Sequence, residues 1–472
     1  MMPAVVRPEE WFRESLIDEL SDRFSDPEHV RELRKKAFGT YLELPSEGDP
    51  LYKKYSHLAG IDLRNCDPVS KGSPVDMPKC RPGEIVVLHD PSGTRVQVCP
   101  QLAGKGVKAL SLPDIWSSDL ETQSLFLADG NASLSPEKFE SMNLALMNRG
   151  LYLEIPDRCS TPVRVKEVSV LAQKDEAMVV RRVIHAGALS RVFHSEEVYC
   201  ASKEVDQRLY SSSTNITSGD DSDVIYFTAH APDDGVVGFY NRVLDASTNS
   251  RISWLFSGVD GHRTTLRNLS RLRQRGGVVN DHQVFFGDGE NSVSSFVKVL
   301  HEADDTRGRS IARGVFKDHS RGLFAGMMKI DPDVKKIFSY LSEHAMLLSK
   351  SARAETIPGL EISSAMDVKA SHSSSVAPLD PERIFYVQCR GFDSSKAARL
   401  IAEGFLASAM SQAPLEGLEN CLSLCFDVRW EGRHMGWAGH HMDWVWKVST
   451  SQGLAEGSQR TSNDLRIDSK LR

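Results

Sequence analysis

The chain is 472 residues long, with 57 basic and 64 acidic residues and a formal net charge of -7. Its charges are well mixed, which argues against a general nucleic-acid or membrane-surface protein, because either usually shows a basic excess. The opening Met1–Trp11 holds Glu9 and Glu10 and no apolar stretch, so it reads as no signal peptide, and no run approaches the roughly 18 apolar residues of a membrane span.

Residues 1–62 read as a helical segment. Pro8-Glu9-Glu10 opens one helix, with Trp11, Phe12, Leu16, Ile17 and Leu20 at three-to-four spacing; Asp26-Pro27-Glu28 opens a second, with Arg34, Lys35 and Lys36 further along. Leu44 to Pro50 is a turn-rich break. Residues 63–162 form a polar, partly irregular connecting region with one apolar strand candidate at Glu84–Leu88. Between 163 and 378 the texture changes. Short β-branched and aromatic runs recur at Val168–Leu171, Met178–Ile184, Val224–Ala229, Val236–Val243, Arg251–Phe256, Gln283–Phe286 and Val293–Val299, separated by turn clusters. Such a chain builds a sandwich, a barrel or a β-solenoid, and with no fixed-period repeat in view the residues alone do not choose among them. Asp331–Leu348 reads equally as a helix or as strands with turns.

Residues 379–418 read as a helical hairpin. Leu379-Asp380-Pro381-Glu382 is a start signal, Gly391 a stop, and Asp393-Ser394-Ser395 the cap of a second helix that turns Ala398, Leu400, Ile401, Phe405 and Leu406 inward. Cys389 falls in the first helix as a packing residue. The tail, 419–472, holds four of the seven tryptophans and ends in a polar run, so it reads as divergent and disordered. Its Cys421, Cys425, His434, His440 and His441 fit no zinc spacing.

The eight cysteines are scattered without CxxC spacing, as reduced thiols of a cytoplasmic protein would be. No GxxxxGK[ST] and no GxGxxG supplies glycine-freed amides for a phosphate, so the sequence holds no nucleotide site of its own. A GxSxG elbow is also absent. Asp304, Asp305, Asp331 and Asp333 would suit a polysaccharide-processing β-helix enzyme only by being acidic; they read as solvated turns, as does Gly287–Asn291. The basic cluster Arg263, Arg267, Arg271, Arg273 and Arg275 reads as a solvated face or a partner contact. His372 stands in a strand-like stretch of small residues, Val368–Val376, where a neutral imidazole is either an ordinary surface histidine or a good iron ligand.

One string is more specific than any of these. It runs His301-Glu-Ala-Asp-Asp-Thr306, Arg313-Gly-Val-Phe-Lys-Asp318, Ser320-Arg-Gly-Leu-Phe-Ala-Gly326, Ile330-Asp-Pro-Asp333, Leu347-Leu-Ser349, Ala352-Arg-Ala-Glu-Thr-Ile-Pro358, Leu360-Glu-Ile362, Asp367-Val-Lys369, Ser371-His372, Leu379-Asp380, Ile384-Phe-Tyr386 and Arg390-Gly391. In order and spacing this resembles the core of the SufB/SufD family of SUF iron–sulphur cluster assembly proteins. Glu32-Leu-Arg34, Leu42-Glu-Leu-Pro45 and Gly60-Ile-Asp-Leu63 resemble the helical opening of its SufD-like branch, whereas residues 64–250 resemble the family only loosely.

The resemblance implies a mainly β fold, a right-handed parallel β-helix core flanked by N- and C-terminal α-helical segments. It implies a non-catalytic subunit with no catalytic residues, no nucleic-acid partner and no membrane. Such a chain pairs with a SufB-type homologue, or with itself, and binds a SufC-type ABC ATPase through its hairpin, here Phe385, Tyr386, Arg390, Ile401 and Phe405. A transient iron–sulphur cluster forms at the subunit interface, with none permanently bound, and His372 is the candidate ligand. SufB-type scaffolds carry a cysteine before the Leu-Leu-Ser motif and a His-Glu pair near His372; this chain has Ser342-Glu343-His344-Ala345 and Ser373. SufD-type chains carry Cys-Ser-His-Gly-Ala, of which this one keeps His372 but has Ala370 and Ser373, so it fits a divergent SufD-like chain. His301 and His344 could approach one face of such a solenoid, though both read as structural. The alternatives are a polysaccharide-processing enzyme and a self-sufficient homodimeric scaffold that uses His372 from both copies.

Overall fold

The computed structural model describes residues 7–47, 58, 61–128, 137–201, 207–230, 235–259, 261–364, 366–410, 426, 429 and 430. A 3-10 turn at Pro8–Glu10 leads into helices α1 (Ser15–Phe24) and α2 (Glu28–Glu43). Four shorter helices follow: α3 (Pro100–Ala103), α4 (Leu112–Trp116), α5 (Leu120–Leu127) and α6 (Lys138–Leu146). The apolar faces of α1, α2 and α6 share one core, in which the Phe139 and Phe239 rings stack at 4.1 Å and Trp11 lies 6.2 Å from Phe139. Arg34 is fully buried there, donating to Asp26 at 2.7 Å and to the carbonyls of Ala145 and Met147 at 2.9 and 2.8 Å. This cap covers the first strands.

The strands begin with β1 (Glu84–Asp90), β2 (Gly93–Val98), β3 (Lys108–Ser111) and β4 (Arg149–Ile155). Longer ones follow: β5 (Val163–Leu171), β6 (Ala177–Ala186), β7 (Arg191–Cys200), β8 (Arg208–Ser218), β9 (Asp223–His230), β10 (Val236–Ala246), β11 (Arg251–Gly258) and β12 (Arg263–Leu272). The series ends with β13 (Val278–Gly287), β14 (Ser292–His301), β15 (Arg307–Phe316), β16 (Arg321–Ile330), β17 (Ile337–Leu347), β18 (Arg353–Ile362) and β19 (Val368–Pro378). Apart from the antiparallel pairs β1–β2 and β3–β4, and β1 with β5, each strand pairs not with its successor but with the one after it. The first sheet runs β19-β17-β15-β13-β11-β9-β7-β5-β1-β2 and the second β18-β16-β14-β12-β10-β8-β6-β4-β3. From β4 and β5 onward every pairing is parallel, so the chain winds a β-solenoid of about 8 turns.

The winding explains why no fixed repeat is visible. Along the first sheet Arg251 pairs with Val278, 27 residues on, but Val192 pairs with Val224, 32 residues on. Corner loops of different length absorb the difference while the strands stay in register. What repeats is backbone geometry. Asp221, Asn249, Gly276 and Asp305 each stand two residues before a first-sheet strand with φ of 53, 53, 78 and 60°. Asn, Asp and Gly are the residues that tolerate this left-handed conformation. Their amides stack coil on coil: Asp221 donates to the Thr248 carbonyl, Asn249 to that of Arg275, Gly276 to that of Asp304 and Asp305 to that of Lys335.

Within Asp331–Leu348, where helix and strand read equally, the structure has β17. The C-terminal helices are α7 (Pro381–Gln388) and α8 (Ser394–Met410); Asp380 caps the first by accepting from the Glu382 amide at 2.9 Å, and Gly391 turns the chain at φ 92°. Helix α8 lies on the outer face of the first sheet, its Ala402, Leu406, Ala409 and Met410 against Val284, Phe286, Ile311 and Val315. Two expectations fail here. Leu400 points outward, 43% exposed, because the helix buries the stripe through Ala397, Ala402, Leu406 and Ala409 instead. Cys389 is exposed at the end of α7, a helix with no buried residue, and so is not a packing residue among the described ones. Of the tail 419–472, Phe426, Arg429 and Trp430 are described, and they do pack: Phe426 sits 5.0 Å from Phe286, and Arg429 donates to Asp288 at 2.6 Å. Cys421, Cys425, His434, His440 and His441 lie outside the described residues.

Candidate functional site

Inward-facing side chains of the solenoid form two apolar ladders with a polar seam between them. One ladder contains Val165, Ile184, Ile216, Leu244, Leu272 and Val299, the other Val180, Tyr210, Tyr240, Phe285 and Phe316. In the seam, the Glu167 carboxylate takes Arg182 at 2.5 Å, His89 at 2.6 Å and His194 at 2.7 Å. The next coil repeats the arrangement. Glu196 accepts from Tyr210, Ser212, Tyr226 and Thr228 at 2.7 to 3.1 Å, with Arg182 at 3.1 Å and Arg242 at 3.7 Å. All of these charged groups are fully buried. Burial alone would raise the Glu167 pKa, but the Arg182 charge and the two histidine hydrogen bonds hold it well below the usual carboxylate range.

The seam is a row of register partners. In the first sheet Glu167, Glu196, Thr228, Phe256, Gln283, Ala312, Glu343 and Ser374 are successive neighbours. The second sheet offers Arg182, Thr214, Arg242, Asn268, Val297, Gly326 and Pro358. The row ends at the last coil, where β18 and β19 are the terminal strands and every β19 residue is at least partly exposed.

His372 lies on that last strand, exposed, in register with the inward-facing Leu341; its strand position therefore faces the solenoid interior at its open end. Beneath Ser374 is Glu343, 2% exposed, with Oε2 unpartnered among the described residues. Burial pushes its carboxyl up to about 8, opposed only by a hydrogen bond from the Ile357 amide. Glu343 is the residue that sequence reasoning passed over as a functional group. The signal was there: a glutamate in the apolar frame Leu341, Glu343, Ala345 of a strand whose other parity carries Ser342 and His344.

On the outer face, His344 bonds to Ser373 at 2.9 Å and Ser375 at 2.5 Å, and the Arg313 guanidinium beside it lies 5.9 Å from the Phe405 ring of α8. His301 belongs to the second sheet and points inward, 2.8 Å from Thr306 and 3.3 Å from Ser339, so the two histidines do not share a face. The hairpin carries the other predicted residues. Phe385 and Tyr386 are 68% and 60% exposed, Arg390 stacks on Tyr386 at 3.6 Å, and Ile401 and Phe405 are half-buried against the solenoid. Asp380, Glu382, Arg383, Tyr386, Val387 and Ile401 line a shallow hollow of about 490 Å³ beside them.

The turn carboxylates serve their turns: Asp304 accepts from the Lys335 amide, and Asp305 and Asp333 adopt left-handed corners. The arginine cluster is answered within the chain. Arg267 reaches Glu47 and Glu137, Arg271 and Arg273 reach Asp245, and Arg275 reaches Asp305. Among the described residues no group of three or more His, Cys, Asp or Glu is placed to hold a metal ion.

Three interior histidines make the fold acid-sensitive. Burial depresses His230 to about 3 and His282 and His301 to about 4, so all three are neutral in the folded chain. Between pH 6.5 and 4 the unfolded chain takes up protons that the folded one refuses, and stability falls as pH falls, by about 3 kcal/mol for each imidazole. Urea midpoints followed by circular dichroism should drop steeply across that window, and less steeply in His301→Gln. A flat profile would mean that these imidazoles are solvated.

Residues 169–405 match the family model described as SUF system FeS cluster assembly, SufBD core domain. The chain is 26% identical to the iron-sulfur cluster assembly protein SufD of Bacillus subtilis (strain 168) over 343 residues, 72% of this chain and 77% of that one. It is 22% identical to the iron-sulfur cluster assembly SufBD family protein ycf24 of Porphyra purpurea over 287 residues, 59% of this chain and 58% of that one. The figures for slr0074 of Synechocystis sp., of the same family, are 22% over 286 residues, with 59% of each chain covered. The family match starts in β5, well inside the stretch that resembled the family only loosely, and it ends within α8. From the first parallel coil to the hairpin, this chain belongs to the SufBD family of SUF-system iron–sulphur cluster assembly proteins.

Proposed function

We propose that this chain is a SufD-like, non-catalytic cytoplasmic subunit that helps assemble an iron–sulphur cluster at the open end of its solenoid. A SufB-type homologue covers that end and His372 is a ligand during assembly, the cluster being cargo rather than a resident group. The observation that carries the reading is the unfinished last coil. Among the described residues strand β19 leaves one edge unpaired, with Ser371, Ser373, Ser374 and Ser375 and the exposed His372 along it. An unpaired edge at the end of a sheet is a template for another strand, and an imidazole there suits iron. The same reading gives the hairpin to a SufC-type ABC ATPase. A helix with no buried residue and two largely exposed aromatic rings fits a docking element, since aromatic anchors dominate interfaces.

Co-expression with a SufB-type homologue and a SufC-type ATPase should yield one complex on affinity purification. Phe385→Ala with Tyr386→Ala should lower ATPase retention by about tenfold or more without changing the circular dichroism, because both rings are exposed. His372→Ala should assemble the complex and form less cluster in it. A clean monomer with neither partner would overturn the reading; unchanged cluster yield in His372→Ala would remove the ligand role alone.

A further inference from the structure

Three glutamates occupy the interior row of the first sheet, and two have cations facing them. Glu167 and Glu196 meet Arg182 and Arg242 from the second sheet. At Glu343 the facing row offers Gly326 and Pro358 instead. A Cβ on Gly326 would stand 2.7 Å from Glu343 Oε1 and 2.6 Å from Leu341 Cδ1, so this glycine leaves the carboxylate its room without giving it a partner. Glu343 is 2% exposed, and its Oε2 accepts no hydrogen bond from the described residues. Chains rarely keep a buried carboxylate without a cation or several donors.

One strand beyond lies the exposed last coil. His372 stands on it with the same parity, one strand across and two residues along from Glu343, a diagonal of roughly 8 Å between Cα atoms in sheet geometry. That is close enough for a carboxylate and an imidazole to share a small ion. The two donors together suit iron(II), which takes nitrogen and oxygen ligands alike. An arginine from a partner would also neutralise Glu343, but it would have to thread a long side chain beneath β19.

We propose that the cation missing opposite Glu343 is a divalent iron ion, seated between Glu343 and His372, which makes Glu343 a second iron ligand from this chain. The remaining positions are filled by water in the free chain and by the partner subunit in the complex. This rests on the reading that clusters are assembled at this end of the solenoid.

The test is an anaerobic titration of the full-length chain with iron(II) by calorimetry, repeated with cobalt(II), whose visible absorption reports its ligands. One ion per chain is expected. Glu343→Gln and His372→Ala should each weaken binding at least tenfold, and Gly326→Ala, which touches the carboxylate from the facing row, should weaken it too. If only His372→Ala weakens binding, the Glu343 assignment is overturned and the assembly reading stands. If only Glu343→Gln does, Glu343 stands as an iron ligand and the seat shared with His372 is overturned. If neither matters, or the wild-type chain binds no ion at millimolar metal, both fall. Glu343→Gln changes no volume, and a matching circular dichroism spectrum separates lost binding from lost fold.

Discussion

Arg182→Met is expected to lower the stability of the fold by roughly 3–5 kcal/mol, the usual cost of removing one partner from a buried ion pair. The guanidinium lies between two fully buried glutamates, 2.5 Å from Glu167 and 3.1 Å from Glu196, and also bonds Ser212 and the Tyr210 hydroxyl. Without it, Glu167 keeps only His89 and His194, and Glu196 keeps Arg242 at 3.7 Å. Either a carboxylate then sits uncompensated in the interior or it takes up a proton. The loss should therefore shrink in acid and be greatest above pH 5, where an unfolded glutamate is ionised. Urea unfolding at pH 5 and 8 measures this. Arg182→Met combined with Glu167→Gln and Glu196→Gln should recover part of the loss, since the uncompensated charges go with it. Near-wild-type stability in the single variant would show that the histidines and hydroxyls hold the charges alone.

The same buried seam marks how far the sequence could be read. The starts of the two hairpin helices were legible because their signals are local: a capping aspartate with a proline at the first turn, and a second aspartate–serine cap after the glycine stop. The strands were legible as strands, since β-branched and aromatic runs between turn residues need no knowledge of their partners. The solenoid was not legible from the residues. Its coils vary from 26 to 32 residues, as in the pairs Val237–Arg263 and Val192–Val224, and register rather than sequence period carries the repeat. Only the motif string from His301 to Gly391 pointed to it. The polar seam was hidden for a similar reason. Glu167, Glu196 and Glu343 lie far apart in the chain and become one row only through pairing. His372 was legible as a candidate because it stood in a serine-rich stretch. Leu400 and Cys389 were misplaced because helical periodicity fixes a stripe but not which sheet it meets.

Glu343 gives the second large expectation, and its sign is opposite to that of Arg182. A carboxyl raised to about 8 by burial keeps its proton in the folded chain at pH values where the unfolded chain has released it. Between the unfolded value near 4.5 and about 8, rising pH therefore favours unfolding, and above 8 the loss is complete. Glu343→Gln removes this slope with no change of volume. The variant should be more stable than the wild type by about 3 kcal/mol at pH 7 and indistinguishable from it near pH 4. Parallel urea titrations at the two pH values decide the matter, and equal midpoints at both would mean that a cation or donor already answers the carboxylate in the free chain. A substitution that stabilises the free subunit while weakening its hold on iron would mark Glu343 as a residue kept for binding. Arg182, bonded to both Glu167 and Glu196, is kept for the fold. Burial alone does not separate the two. What separates them is whether the facing strand supplies an arginine or a glycine.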